Sequence, residues 1–108
     1  MIYHVYMLIN LDFKKNQTYV GFTNNLVNRL IKHNTAKGAK FTRGRYWELI
    51  YFKSYKSKKT AMKNEYKLKK DFKLRRSIKN NYLLKRINHI WDYYFKFSKT
   101  KSWWYLIQ

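Results

Sequence analysis

The stretch TYVGFTNNLVNRLIKHN, residues 18–34, sets Tyr19 and Gly21 just ahead of a helical pattern that carries Arg29 and His33. Arg29 and His33 stand four residues apart, so both project from one helix face. One is a fixed cation and the other a group that can exchange a proton near neutral pH. Tyr6 lies upstream in HVY, and Glu65 stands alone in the lysine-rich run KKTAMKNEYKLKK. Each has a plain reading beside a chemical one. A strand tyrosine packs more often than it reacts, and the chain has 11 of them. Arg29 could be a surface charge, and His33 a partner for a helix C-terminal dipole. Glu65 could pair with Lys58, Lys69 or Lys70, or it could be a metal ligand. The chain holds only 5 Asp and Glu, so an anionic metal site has few possible sources.

The elements that would position these residues follow from the pattern. Residues 3–10 are rich in β-branched, aromatic and leucine side chains and read as a strand. That strand is apolar on both faces, which suits the centre of a sheet. After the polar turn LDFKKNQ, residues 18–22 read as a second strand, forming an antiparallel hairpin with the first. The hairpin brings Tyr6 and Tyr19 side by side. Gly21 would permit a positive φ or a close backbone approach where the strand turns into a helix. Asn24 is a good N-cap, and Leu26, Val27, Leu30 and Ile31 predict a helix over 25–34. Residues 35–46, TAKGAKFTRGRY, form a glycine-containing basic loop. A third strand is expected over 47–52. Ser57 would cap a helix over 58–71 with Ala61, Met62 and Leu68 as its apolar contacts. A third helix over 75–96 would show Ile78, Tyr82, Leu83, Ile87, Ile90, Trp91 and Tyr94 on one face. This order predicts an α+β fold, a small three-stranded antiparallel sheet flanked by helices with an extra C-terminal helix.

The bulk composition narrows the function. The 108 residues are enough for a single domain, 1–108, with one core. The absence of cysteine excludes disulfides, thiolate metal sites and cysteine nucleophiles. No apolar run approaches the roughly 20 residues that span a bilayer, and the start lacks signal-peptide features. The chain therefore reads as intracellular, cytoplasmic or nucleoid-associated, without a membrane partner. Its 25 Lys and Arg give a net charge of +20. Self-repulsion at that density opposes a compact state and calls for a polyanion. Nucleic acid is the first candidate, because neutralising phosphates releases counterions. AT-rich coding could enrich lysine, but it does not deplete acids.

Several of these segments resemble the GIY-YIG endonuclease family, in its compact URI-type branch. HVY at 4–6 and YVG at 19–21 are similar to the two halves of the family motif. The spacing from Tyr19 to Arg29 and His33 is similar to the family's helix. TAKGAKFTRGR at 35–45 resembles the loop of the compact branch, and Ser57, Ala61, Glu65 and Lys69 resemble the helix with the metal-binding glutamate. The likeness covers about residues 3–71, which reads as the nuclease core, with 72–108 as a helical extension. His4 stands where the motif's name has glycine. Phe22 follows YVG where some repair-type members carry lysine, which leaves the identity of the general base open.

The resemblance implies hydrolysis of phosphodiester bonds in DNA with one divalent metal, Mg²⁺ or Mn²⁺. Glu65 would hold the metal. Arg29 would bind the phosphate and stabilise transition-state charge. Tyr6 or Tyr19 would activate or position water, with Arg29, the metal and His33 lowering a phenol pKa that is ordinarily about 10. His33 would hydrogen-bond a tyrosine or orient the phosphate. Lys37, Lys40, Arg43, Arg45 and Lys69 would grip phosphates, with Gly38 and Gly44 letting the backbone come close. Phe41 could stack on a base, as could Trp103, Trp104 and Tyr105, which could equally pack on the core or form a homodimer or partner contact. The rival readings are a non-catalytic nucleic-acid-binding module, DNA or RNA, and a small structural RNA-binding protein.

Overall fold

The computed structural model describes residues 1–11, 15–35 and 38–97. Lys37, part of the hairpin turn and the aromatic residues Trp103, Trp104 and Tyr105 lie outside the described residues. Strand β1 (Tyr3–Asn10) pairs antiparallel with β2 (Thr18–Thr23) on one side and β3 (Trp47–Tyr55) on the other, giving the order β2-β1-β3. Helix α1 (Leu26–Asn34) follows β2, a short 3₁₀ turn spans Lys40–Thr42, and α2 (Lys58–Lys70) and α3 (Phe72–Phe97) close the chain. The fold is the expected α+β arrangement, an antiparallel three-stranded sheet with three helices. No helix among the described residues is long and apolar enough to cross a membrane.

The alternation of β1 distributes its side chains to two faces. Val5 and Met7 join Val20, Ala61 and Leu68 beneath α2, while Tyr6 and Leu8 join Trp47, Leu26 and Leu30 beneath α1. Residues 5–10 of β1 are all buried, as a central strand covered on both faces requires. At about 1.5–3 kcal/mol for each large apolar side chain removed from water, this strand anchors the fold. A bulge between Met7 and Leu8 shifts the β1–β3 register, so Met7 faces Tyr51 and Leu8 faces Leu49.

Some boundaries and faces differ from those the pattern predicts. The cap of α1 is Asn25, not Asn24: its Oδ1 accepts from Asn28 N at 3.0 Å. Both asparagines can cap, and the later one turns Leu26 and Leu30 onto Trp47 and Tyr6. Ser57 does cap α2, accepting from Thr60 N at 3.1 Å. Met62, expected in the core, is exposed. Ala61 and Leu68 define the buried face, and a neighbour of Ala61 is rotated about 100° away from it. β3 runs to Tyr55, and the loop 35–46 contains the 3₁₀ turn. α3 begins at Phe72, three residues before the expected start. Ile78 packs against the α2-side core and Tyr82 donates to Glu48, whereas Ile87, Ile90, Trp91 and Tyr94 are exposed.

Candidate active site

The site grows from one cross-strand pair. Tyr6 of β1 stands directly opposite Gly21 of β2. A Cβ on Gly21 would lie 2.6 Å from the Tyr6 hydroxyl and 3.1 Å from Cε1 of Tyr19. The glycine is therefore needed for close approach rather than for a positive φ. Its missing side chain is the space that the Tyr6 hydroxyl occupies.

Helix α1 brings two groups to that hydroxyl. Tyr6 Oη and His33 Nε2 are 2.7 Å apart, and both residues are buried. The Arg29 guanidinium lies close enough to Tyr6 and Tyr19 to act on both phenols. The Tyr19 ring lies 5.0 Å from the His33 ring, edge to face. The predicted helix face thus delivers Arg29 and His33 to the tyrosine pair. The far side of His33 is held as well, with Nδ1 2.7 Å from Thr42 Oγ1.

The electrostatics of these groups run against the simple expectation for a tyrosine base. Burial pushes the Tyr6 phenol up to about 12, and the hydrogen bond and charge of Arg29 oppose this without overcoming it. Arg29 itself is pushed above its ordinary value, chiefly by its bond to Tyr6. Burial, with the Arg29 charge adding, pushes the His33 imidazole down to about 4. At neutral pH His33 is therefore uncharged, and it does not serve as a cation for the helix dipole.

Glu65 occupies the inward face of α2, between Ala61 and Leu68. Its side chain is 15% exposed and accepts an ion pair from Lys69 Nζ at 2.6 Å. Its charge is felt at Tyr6. No group of three or more His, Cys, Asp or Glu gathers among the described residues. One carboxylate suits Mg²⁺, which keeps several waters and takes its remaining ligands from substrate phosphate. The donor chemistry at Glu65 therefore fits a single divalent ion of that kind, with Lys69 as its competitor.

The basic loop is less open than its sequence suggests. Lys40 and Arg43 are exposed. Arg45 hydrogen-bonds Gln17 and lies over the Phe41 ring, 5.2 Å from its centroid. Phe41 in turn stacks on Tyr19 and tilts against Trp47 while staying 46% exposed. Gly38 lies against His33, where a Cβ would come within 2.6 Å of Nδ1. Only Gly44 has a positive φ, 72°, and open space around it. Two residues that sequence reasoning missed shape this loop. Thr42 is wholly buried against His33, and the Asn34 side chain pairs with the Trp47 backbone in both directions, at 3.0 and 2.7 Å. Thr42 stands nine residues from His33 across a loop, so no local spacing signals their contact.

The family model described as the GIY-YIG catalytic domain matches residues 2–82. A UPF0213 protein of Oceanobacillus iheyensis is 46% identical over 68 residues, covering 62% of this chain and 76% of that protein. One from Bacillus licheniformis is 38% identical over 84 residues, covering 77% of this chain and 84% of the relative. The solution NMR structure of a UPF0213 protein from Bacillus halodurans is 32% identical, with a TM-score of 0.40, over 93% of this chain and 100% of that one.

Proposed function

The chain belongs to the GIY-YIG catalytic domain family, and from that premise we propose that it is a metal-dependent endonuclease that hydrolyses phosphodiester bonds in DNA. The nuclease core would be residues 3–71, with 72–108 as an extension. The observation that carries the reading is the hydrogen-bonded Tyr6–His33 pair packed over Gly21, with Arg29 beside the phenol. A structural tyrosine does not need a buried neutral histidine on one side and an arginine on the other.

Tyr6 is the group that moves the proton. With its phenol near 12, a standing phenolate is not available at neutral pH. The Tyr6 oxygen instead takes a proton from the attacking water as its own proton passes to Nε2 of neutral His33. The water oxygen bonds to phosphorus, and the bond to the leaving oxygen breaks with its electron pair going to that oxygen, which takes a proton from solvent. His33 ends as imidazolium and Tyr6 as phenol. Arg29 binds the non-bridging oxygens and stabilises the charge that grows on them. Substrate phosphate also neutralises Arg29, removing one of the two causes that hold the His33 pKa down. Tyr19 lines the same site beside Arg29 and positions the water. A divalent ion held by Glu65, Mg²⁺ or Mn²⁺, would supply Lewis-acid stabilisation of the phosphate and leaving oxygen. Lys40, Arg43 and Lys69, with Lys37 and Arg45 of the same basic group, would meet flanking phosphates. The exposed apolar residues on distal α3 favour the extension as the place for a partner protein or second copy.

Glu65→Ala tests this reading. The variant is expected to bind DNA as the wild type does and to lose metal-dependent cleavage by a factor of about 100 or more. Equal cleavage by Glu65→Ala removes the metal role. Steeply salt-dependent binding without cleavage, in any metal, would favour the non-catalytic nucleic-acid-binding module, the reading to which the net charge of +20 alone would lead.

A further inference from the structure

We infer that Thr42 is a positioning residue for the reaction: its hydroxyl fixes His33 in the tautomer protonated at Nδ1, which leaves Nε2 as the acceptor for the Tyr6 proton. This inference rests on the endonuclease reading of the site. It adds a residue outside the tyrosine–arginine–histidine–glutamate set and gives the basic loop a second task.

The argument is a count of protons. A threonine hydroxyl has one hydrogen to donate. Thr42 Oγ1 lies 2.9 Å from the backbone oxygen of Ala39 and donates to it within the 3₁₀ turn. That oxygen then has only lone pairs to offer His33 Nδ1, 2.7 Å away, so Nδ1 must carry a hydrogen. A neutral imidazole has a single N–H. Nε2 is therefore bare, and it accepts from the Tyr6 hydroxyl at 2.7 Å. The opposite tautomer would take the Thr42 hydrogen away from Ala39. It would also turn the Tyr6 oxygen into the acceptor for His33, and the buried phenol hydrogen would lose its acceptor. Of the three linked hydrogen bonds one would be lost, and the Ala39 oxygen would keep only the Thr42 backbone N–H, 3.0 Å away.

The surroundings hold Thr42 and the ring in this arrangement. Trp47 Nε1 donates to the Thr42 carbonyl at 3.0 Å, and the Asn34–Trp47 pair joins the end of α1 to the start of β3. Gly38 lies tight against the Nδ1 side of His33, where any side chain would press on the ring. Tyr6 faces the ring from β1, Tyr19 from β2 and Arg29 from α1 itself; these are the titratable and charged groups around it. Thr42 belongs to the same loop as Lys40, Arg43 and Arg45. Seating of the phosphate-facing loop and readiness of the proton acceptor are thereby linked through one hydroxyl.

The test uses the full-length protein labelled with ¹⁵N at histidine. Long-range ¹H–¹⁵N correlation reports which ring nitrogen carries the proton, without reference to activity. In the wild type and in Thr42→Ser at neutral pH, His33 is expected to be protonated at Nδ1. In Thr42→Val, which keeps the shape and removes the hydroxyl, the single tautomer should give way to a mixture or to Nε2–H. The kcat for DNA cleavage should fall on the order of 10- to 100-fold in Thr42→Val with KM unchanged, and return close to wild type in Thr42→Ser. Protonation of wild-type His33 at Nε2 overturns the inference. So does a Thr42→Val variant that keeps both the tautomer and kcat. A wild-type protein that shows Nδ1–H yet cuts no DNA overturns the endonuclease reading, and with it the role of Thr42, by a separate signature.

Discussion

His33 joins the two halves of the site, because its two nitrogens face different partners, Tyr6 and Thr42, and its burial keeps it neutral. That state has a consequence for stability. The imidazole titrates at 6.5 without the fold and at about 4 within it, so between those values the unfolded chain binds the additional proton. The His33 contribution is therefore fully present above about pH 6.5 and is lost as the pH falls toward about 4. Thermal unfolding followed across that window should show a midpoint that drops with acidification, and a shallower drop in His33→Gln. An identical slope in the variant would mean that His33 is not held neutral by the fold. At this scale the sequence made much legible. Tyr6, Tyr19, Arg29 and His33 do converge, because strand pairing and helical spacing are local rules. The burial that pushes the Tyr6 phenol up was not legible, since it comes from packing beneath α1 that no spacing describes. Thr42 was not legible either, because its partner lies across a loop whose path no periodicity describes.

At the scale of elements, the strands followed their patterns and the helix termini their caps, with Asn25 taking the place expected for Asn24. α3 departs most from expectation. Its 26 residues make it about 39 Å long, while the sheet beside it has only three strands. The first turns therefore find the core through Ile78, and the helix then relies on Glu48 of β3. That carboxylate accepts from the Tyr82 hydroxyl and pairs with Arg86 at 3.2 Å, and its side chain is 20% exposed. Burial first, then the bond to Glu48, pushes the Tyr82 phenol above its ordinary range. Glu48→Gln is expected to lower the free energy of unfolding in denaturant by about 1–2 kcal/mol, the range for a hydrogen bond to a charged group. Arg86→Ala should cost less than about 1 kcal/mol, as the arginine is half exposed and screened. Equal losses in the two variants would place the tie in the ion pair instead of the phenol. The periodic apolar stripe of α3 could be read from the sequence, but where the sheet stops beneath it could not.

Across the whole molecule, charge and site make separate demands. A net charge of +20 opposes compaction and would favour a polyanion partner for a nuclease and a binding module alike. Binding to DNA therefore does not discriminate between a nuclease and a binding module, and salt dependence would be steep for both. The relay does discriminate, because only the nuclease needs a phenol between an arginine and a neutral histidine. Tyr6→Phe removes one oxygen from that relay, leaves the ring that packs beneath α1, and changes no charge at neutral pH. The decisive measurement pairs binding with cleavage for the wild type and Tyr6→Phe, on single-stranded, duplex and branched DNA with Mg²⁺ or Mn²⁺. The account predicts metal-dependent cleavage by the wild type, equal binding by the variant, and a loss of cleavage on the order of 100-fold or more in Tyr6→Phe. Equal cleavage by Tyr6→Phe, or no cleavage of any substrate by the wild type, would contradict it.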